Sequence, residues 1–150
     1  MVSDLRARAW EAAAAVPDPE LPVLTIAELG VLRDVRVEGA GVEVLITPTY
    51  SGCPAMAMIA LDVQAALDRA GIVPARVRMV LSPAWTSDWL GAAAREKLAA
   101  AGIAPPGGAV ACPRCGSGET ELLSAFGSTA CKAIRRCRAC REPFDAFKCH

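Results

Sequence analysis

The sequence has 150 residues but only one histidine, few aromatic side chains and no long apolar run. Because the histidine is the last residue, His150, a Ser–His–Asp catalytic set in the body of the chain is excluded. No apolar run approaches the roughly 18 residues that a membrane span requires. The apolar segment from Ala12 to Val16 is too short for a signal peptide and follows acidic residues, so we expect a cytoplasmic protein.

Net charge is also lacking, because 16 basic residues balance 16 acidic ones. No whole-chain field therefore attracts the protein to nucleic acid. The balance hides an asymmetry: residues 1–105 carry 9 basic and 12 acidic side chains, whereas residues 106–150 carry 7 and 4. The change coincides with a stretch at 103–110 that holds two prolines and two glycines, a composition typical of a linker. The sequence thus predicts two domains, 1–105 and 106–150.

The first domain is predicted to mix helices and strands. Its elements are a helix that begins at Ser3 or Asp4, strands at 32–37 and 42–46, a helix from Pro54 to Gly71, a strand at 77–81, and a helix capped by Ser87 and ended by Gly102. Such a β-α-β crossover requires a parallel pair of strands. We expect an α/β (α+β) fold, a small α-β-β-α-β-α domain with a mixed sheet, and then a four-cysteine module. Trp85 and Trp89 are expected to share one helix face in the core.

The seven cysteines are unevenly distributed along the chain. Cys53 stands alone in the first hundred residues, and the other six lie in the last forty. An odd number without a signal peptide argues against a disulfide framework, because a reducing cytosol does not maintain one.

Two Cys-x-x-Cys pairs dominate the second domain. Cys112 and Cys115 form the first pair, Cys137 and Cys140 form the second, and 21 residues separate them. This spacing lets two tight turns direct four thiolates at one ion, and a structural Zn²⁺ would stabilise a module too small to build its own core. The alternatives are a redox tail of free thiols, or iron in the same four-sulfur site, since the first turn also resembles that of rubredoxins.

Other tail residues have less specific interpretations. Cys131 fits a small buried hydrophobic position, and the pair Cys149 and His150 fits an extra metal contact or a mobile terminus. Five basic residues invite a nucleic-acid interpretation: Lys132, Arg135, Arg136, Arg138 and Arg141. However, a zinc ion bound by four thiolates carries about −2, and the three phenylalanines of the tail are expected to form its core. A docking face for an acidic protein partner is therefore favoured over nucleic acid.

Cys53 lies between a predicted strand and a predicted helix. Pro54 suits the first helical position, so Cys53 is predicted to be the N-cap, where the helix dipole would lower the pKa of its thiol. An inert buried cysteine is the alternative. Asp18 and Glu20 lie in a proline-flanked loop, where paired carboxylates can do acid–base work or bind a hard metal ion, or simply solvate and cap the loop.

Three sequence blocks resemble a known family. The blocks Asp18-Pro-Glu-Leu-Pro-Val, Ile26-Ala-Glu-Leu-Gly-Val and Thr47-Pro-Thr-Tyr-Ser-Gly-Cys-Pro-Ala are similar to those of the SufT-like, or MIP-type, iron–sulfur assembly domain, over roughly residues 5–103. With the segment Pro83-Ala-Trp-Thr-Ser-Asp-Trp and the cysteine-rich tail, the whole chain resembles PaaD-like (PaaJ-like) accessory proteins of the bacterial phenylacetyl-CoA epoxidase system.

The resemblance implies a maturation role in phenylacetate catabolism rather than turnover of phenylacetyl-CoA. It implies that Cys53 transiently holds iron or an iron–sulfur cluster, and that Asp18 and Glu20 belong to the same site. That system contains a flavin- and cluster-bearing reductase and a di-iron oxygenase, so the reductase or the oxygenase subunits are the implied partners. A homodimer that bridges one cluster through two Cys53 residues stays open. The ribbon is an addition to the simple domain, which implies recognition of a specific partner.

Two other functional classes compete with a maturation factor. One is a stoichiometric structural subunit of the oxygenase, with no chemistry at Cys53. The other is an oxidoreductase that carries electrons through a rubredoxin-like iron site. Colour separates this last class, because iron held by four thiolates is red and zinc is colourless.

Overall fold

The computed structural model describes residues 2–50, 52–107 and 109–148, which form two compact units, 1–85 and 86–150. The first unit contains helices α1 (Val2–Ala14) and α2 (Ile26–Leu29), strands β1 (Leu32–Glu38) and β2 (Gly41–Ile46), helix α3 (Ala55–Arg69) and strand β3 (Ala75–Met79). The second contains helix α4 (Ala92–Ala100) and strands β4 (Ile103–Ala104), β5 (Thr120–Ser124), β6 (Lys132–Cys137) and β7 (Pro143–Phe147). The predicted α+β class is confirmed.

The sheet of the first unit has the order β1-β2-β3. Strands β1 and β2 form the predicted antiparallel hairpin, and β2 runs parallel to β3, as the crossover through α3 requires. The carboxyl ends of β2 and β3 therefore lie at the same edge. Gly41 begins β2 where a Cβ atom would lie 2.2 Å from the carbonyl oxygen of Pro74, so only glycine fits this close approach.

The core of the first unit lies between its helices and this sheet. Helix α3 buries Ile59, Val63 and Leu67 on one stripe, which follows the apolar periodicity of the sequence. Helix α1 buries Ala9 and Ala13, two small residues that allow it to lie close to its neighbours. Helix α3 ends just before Gly71, which has a φ of 73°, as predicted.

The segment around the two tryptophans differs from the prediction. Ser87 does not cap a long helix: Thr86 caps a single 3-10 turn at Ser87–Trp89, and α4 begins only after Gly91. Leu90 and Gly91 both have extended backbone, which interrupts the helical pattern. The expectation that both tryptophans share a helix face is therefore wrong. Trp85 precedes the turn, is buried, and donates its Nε1–H to the carbonyl oxygen of Leu29 at 2.9 Å.

The second unit is built on a sheet of order β4-β7-β6-β5. Strand β4 runs parallel to β7, and the other neighbours are antiparallel. Its buried cluster consists of Ala104, Cys112, Cys137, Phe144 and Ala146. Two of these five residues are cysteines, so apolar burial in this cluster contributes little stability without the metal site. Strand β4, at Ile103–Ala104, lies before the predicted domain boundary at 105/106 but pairs with β7, which lies after it. That boundary stays a prediction.

The described residues contain no helix that is both long and apolar enough to cross a membrane.

Candidate functional site

The second unit brings the two Cys-x-x-Cys pairs together. The Sγ atoms of Cys112, Cys115, Cys137 and Cys140 all lie within 4.8 Å of one another. Two of the separations are 3.5 Å, between Cys115 and Cys137, and 3.7 Å, between Cys112 and Cys140. A tetrahedral zinc with bonds of about 2.3 Å to sulfur has S···S edges of about 3.8 Å. The four thiolates thus fit Zn²⁺, and within the described ranges they form the one cluster of three or more potential ligands.

Both cysteine pairs adopt the same turn. The N–H of Arg114 points at Cys112 Sγ, and the N–H of Cys140 points at Cys137 Sγ, each at 3.4 Å. Each turn closes on a residue with positive φ: Gly116 at 78° and Arg141 at 69°. Their N–H groups return to the carbonyl oxygens of the first cysteine of each pair, at 2.8 and 3.0 Å. Two residues between cysteines are thus enough to aim both sulfurs at one point.

The backbone prepares these sulfurs to bind a cation. The N–H of Cys140 lowers the pKa of the Cys137 thiol to about 6, and the N–H of Cys115 likewise lowers the pKa of Cys112. At Cys140 the N–H of Glu142 lowers the pKa, but burial and the neighbouring sulfurs outweigh it and raise the pKa to about 11. Metal binding therefore releases protons from this site.

The other tail residues agree only in part with the predictions made from the sequence. Cys131 is buried, as expected, and its sulfur lies 3.0 Å from Thr129 Oγ1. Cys149 and His150 lie outside the described residues. Phe126 does not belong to the core: it is 69% exposed, with Lys148 Nζ 4.3 Å from its ring centre. The reason is that the chain leaves β5 at Ser124, before Phe126, on an edge of the sheet.

The basic cluster of the tail is partly neutralised. Arg136 and Arg138 pair with Glu121 of the neighbouring strand. Lys132 is 8% exposed, and Arg135 donates to Thr120 Oγ1. Four of the five cations of this set are therefore buried, paired or bonded to a neutral group.

In the first unit, Cys53 lies in the loop that connects β2 to α3. The N-cap of α3 is Pro54, not Cys53, and it makes no side-chain cap. The helix starts one residue later than predicted, and the N–H of Cys53 closes a turn on the carbonyl oxygen of Tyr50, at 3.2 Å. Cys53 is half-buried.

The pKa of Cys53 is raised, so the predicted lowering by the helix dipole is wrong. Burial is the main cause. The N–H of Ala55 and the hydroxyl of Tyr50 oppose it, whereas the carboxylates of Glu20 and Asp18 add to it. The structure therefore brings the three predicted residues Asp18, Glu20 and Cys53 into one electrostatic neighbourhood, and the thiol is protonated at neutral pH.

The two carboxylates are held differently. Asp18 is 6% exposed, and its Oδ1 accepts the N–H groups of Glu20 and Leu21, both at 2.8 Å. A further bond from the Asp18 N–H to Leu24, at 2.9 Å, fixes the loop. Asp18 thus shapes the loop that carries Glu20, whose side chain is partly exposed.

Comparison with known proteins covers both units. Residues 6–81 match the family model of the iron–sulfur cluster assembly protein, and residues 102–148 match that of the PaaD zinc beta ribbon domain. A protein of Escherichia coli (strain K12), named as a subunit of 1,2-phenylacetyl-CoA epoxidase, is 49% identical over 149 residues, which span 93% of this chain and 90% of that protein.

The chain belongs to the PaaD family.

Solved structures resemble the first part of this PaaD family member. A crystal structure of a domain of unknown function, DUF59, from Bacillus anthracis is 26% identical with a TM-score of 0.59, covering 64% of this chain and 92% of that one. A conserved hypothetical protein of Thermotoga maritima is 29% identical with a TM-score of 0.53, covering 62% and 92%. The match at 102–148 confirms the predicted zinc ribbon, and the four clustered cysteines support a metal-binding site there.

Two neighbours of Cys53 were not singled out from the sequence. The Tyr50 hydroxyl influences the Cys53 thiol, and Thr47 is 1% exposed, with a buried Oγ1 that forms no hydrogen bond to any described residue. Both lie in the sequence block from Thr47 to Pro54 that also contains Cys53, so that block could have identified them as neighbours of the thiol. A buried hydroxyl without a partner is rare, and it marks this loop as more than a connection.

Cys53 is expected to react slowly with alkylating reagents at neutral pH. Its raised pKa leaves little thiolate, so iodoacetamide should modify it more slowly than it modifies a synthetic peptide of residues 47–56. The rate should rise with pH over a higher range than in the peptide. Glu20→Gln removes a charge that disfavours the thiolate, so this variant should react faster. Site-resolved mass spectrometry of the zinc-loaded chain measures both rates, and equal rates in chain and peptide would contradict the burial argument.

Proposed function

We propose that this chain is an accessory maturation factor for a multicomponent phenylacetyl-CoA 1,2-epoxidase of phenylacetate catabolism. It would assist the assembly of an iron–sulfur cluster, or the delivery of iron, in a protein of that system. One observation carries the proposal: a chain 49% identical to a protein named as an epoxidase subunit also contains an iron–sulfur cluster assembly domain, at 6–81. A role in assembly explains why both occur in one chain.

In this proposal Cys53 is the transient ligand of the iron cargo. Its thiol stays protonated beside the carboxylates of Glu20 and Asp18, which disfavour an added negative charge but favour an incoming cation. When Fe²⁺ or a cluster binds, the thiol proton leaves to solvent, and the negative carboxylates balance the positive charge of the bound metal. A single half-buried cysteine also releases its cargo more readily than a closed site of four.

The zinc ribbon has a different part in the proposal. Four thiolates with backbone support form a closed site, which suits a structural ion rather than one that is passed on. The ribbon would position the chain on its protein partner, either the reductase or an oxygenase subunit of the epoxidase system. We propose that the chain is a cytoplasmic protein.

A second candidate is a stoichiometric docking subunit without metal-transfer chemistry. The word "subunit" in the relative's name favours it, because a subunit remains in the complex. Under this alternative Cys53 has no chemical role and the ribbon serves as a contact surface.

Iron and sulfide analysis of the client proteins separates the two candidates. The reductase and the oxygenase are purified anaerobically from cells that make the epoxidase components with or without this chain. A maturation factor predicts that omission lowers the cluster content of the reductase, or the iron content of the oxygenase, several-fold. Fully loaded clients, together with co-purification of this chain at a fixed ratio, would instead establish the docking subunit.

A further inference from the structure

The sheet of the second unit carries an apolar groove that the metal site does not use. The groove has a volume of about 380 Å³ and lies where the sheet face continues beyond the zinc cluster. Its floor contains Ala133 and Ala146, which are directly opposite each other on β6 and β7. These side chains are 6% and 4% exposed, so only their outer edges form the base of the groove, and Ala146 also belongs to the buried cluster of the unit. Leu122, which is 55% exposed, and Val110 form parts of its walls.

Two cations bracket this floor. Arg135 follows Ala133 by two residues on β6, and Lys148 lies one residue beyond the end of β7, where its N–H still binds the carbonyl oxygen of Cys131 at 2.9 Å. Side chains two residues apart on a strand share a face, which places Arg135 on the face of the alanines, and Lys148 lines the same groove. At about 3.3 Å per residue, the backbone positions of the two cations are about 13 Å apart along the strand direction, with the apolar floor between them.

Neither cation is neutralised by the described part of the chain. No carboxylate of the described residues forms an ion pair with Arg135 or Lys148, whereas Arg136 and Arg138 share Glu121. Neutral groups instead hold both cations in place. Arg135 donates to Thr120 Oγ1 at 3.2 Å, and Lys148 donates to the carbonyl oxygen of Ala125 at 2.6 Å. Two positioned charges that no described carboxylate pairs with are complementary to a ligand that supplies carboxylates.

We propose that this groove binds an extended acidic segment of a partner protein. The segment carries an apolar residue on the alanine floor and a carboxylate two residues away on each side. In an extended peptide these three residues point to the same face, and the outer two are about 13 Å apart, which matches the backbone spacing of Arg135 and Lys148. The inference goes beyond the proposed maturation role, because it holds whether or not Cys53 carries iron.

Peptide binding to the zinc-loaded full chain tests the proposal. The probe is a fluorescein-labelled peptide with one leucine flanked, two residues away on each side, by glutamate. Its counterpart carries lysine in place of both glutamates. Fluorescence anisotropy is expected to give micromolar binding of the acidic peptide, weakened by salt, and no binding of the basic one. Failure of the acidic peptide to bind at millimolar concentration would overturn the proposal.

Matched variants locate the binding surface. Lys148→Glu and Leu122→Asp are each expected to weaken binding at least about tenfold, by charge reversal and by loss of the apolar wall. Arg114→Glu makes the same change of charge outside the groove, where Arg114 pairs with Glu142, and is expected to change binding less than about twofold. Zinc content and melting temperature confirm that each variant is folded. Equal weakening by Lys148→Glu and Arg114→Glu would overturn the proposal in favour of net charge alone.

Two other occupants give distinct results. If the groove binds a second copy of this chain, sedimentation velocity shows a dimer that Leu122→Asp dissociates, and the peptide does not compete with it. If it binds nucleic acid, a single-stranded oligonucleotide displaces the acidic peptide and binds Lys148→Glu more weakly. Either result would overturn the assignment to an acidic peptide.

Discussion

Cys137→Ser is expected to leave the purified chain without zinc, whereas the unchanged chain should hold about one zinc ion. Cys137 is fully buried at the end of β6 and is both a ligand and a member of the small core of the second unit. A serine hydroxyl is a poor ligand for Zn²⁺ because it does not ionise at neutral pH. Structural zinc contributes on the order of 10–16 kcal/mol of apparent binding free energy to such small modules, enough to decide whether they fold.

Loss of the metal should unfold the sheet β4-β7-β6-β5 and leave the first unit folded. Zinc analysis and hydrogen exchange of β6 and β7 measure the two effects. Cys131→Ser is the matched control, since it changes a buried cysteine of the same module that is not among the four ligands. It should retain zinc at a modest cost in stability, on the order of 1–2 kcal/mol. Zinc that persists in Cys137→Ser but is lost in Cys131→Ser would refute the ligand set.

Local patterns of the sequence were enough to predict most elements and the metal site. The hairpin of β1 and β2 follows from alternating apolar residues around Gly39 and Gly41, and α3 follows from a continuous apolar stripe. The Cys-x-x-Cys turns depend on bonds within five residues, so their geometry is encoded locally. The meeting of the two turns is not encoded locally. The pairing of β6 with β5 and β7 brings them together.

The errors arose where tertiary contacts outweighed local rules. A helix N-terminus lowers the pKa of a nearby thiol, but at Cys53 burial and the carboxylates of Glu20 and Asp18 prevail. These carboxylates lie more than thirty residues away in sequence, so no local rule could include them. Trp85 likewise fits a helix pattern, yet its indole N–H binds the carbonyl oxygen of Leu29 and keeps it in a loop.

Cys53→Ser is expected to abolish client maturation while leaving the chain folded and loaded with zinc. The loop keeps its backbone bonds in this variant, because the N–H of Cys53 binds Tyr50 and its carbonyl oxygen accepts from Met56. The change in stability should be about 1 kcal/mol or less, since one half-buried sulfur is replaced by oxygen. The iron cargo, however, loses its thiolate, and a serine hydroxyl is a poor ligand for iron at neutral pH.

The readout is epoxidase activity in cells that carry the variant, together with the iron and sulfide content of the reductase and oxygenase. Both should fall to the level of cells without the chain if Cys53 is the carrier. Glu20→Gln leaves the thiol in place and removes one of the charges that attract the cargo, so it should give an intermediate loss. Cys131→Ser should mature clients normally, which shows that the effect is not a general result of removing a cysteine. Full activity and fully loaded clients with Cys53→Ser would exclude the carrier role, and the chain would then act through its docking surfaces alone.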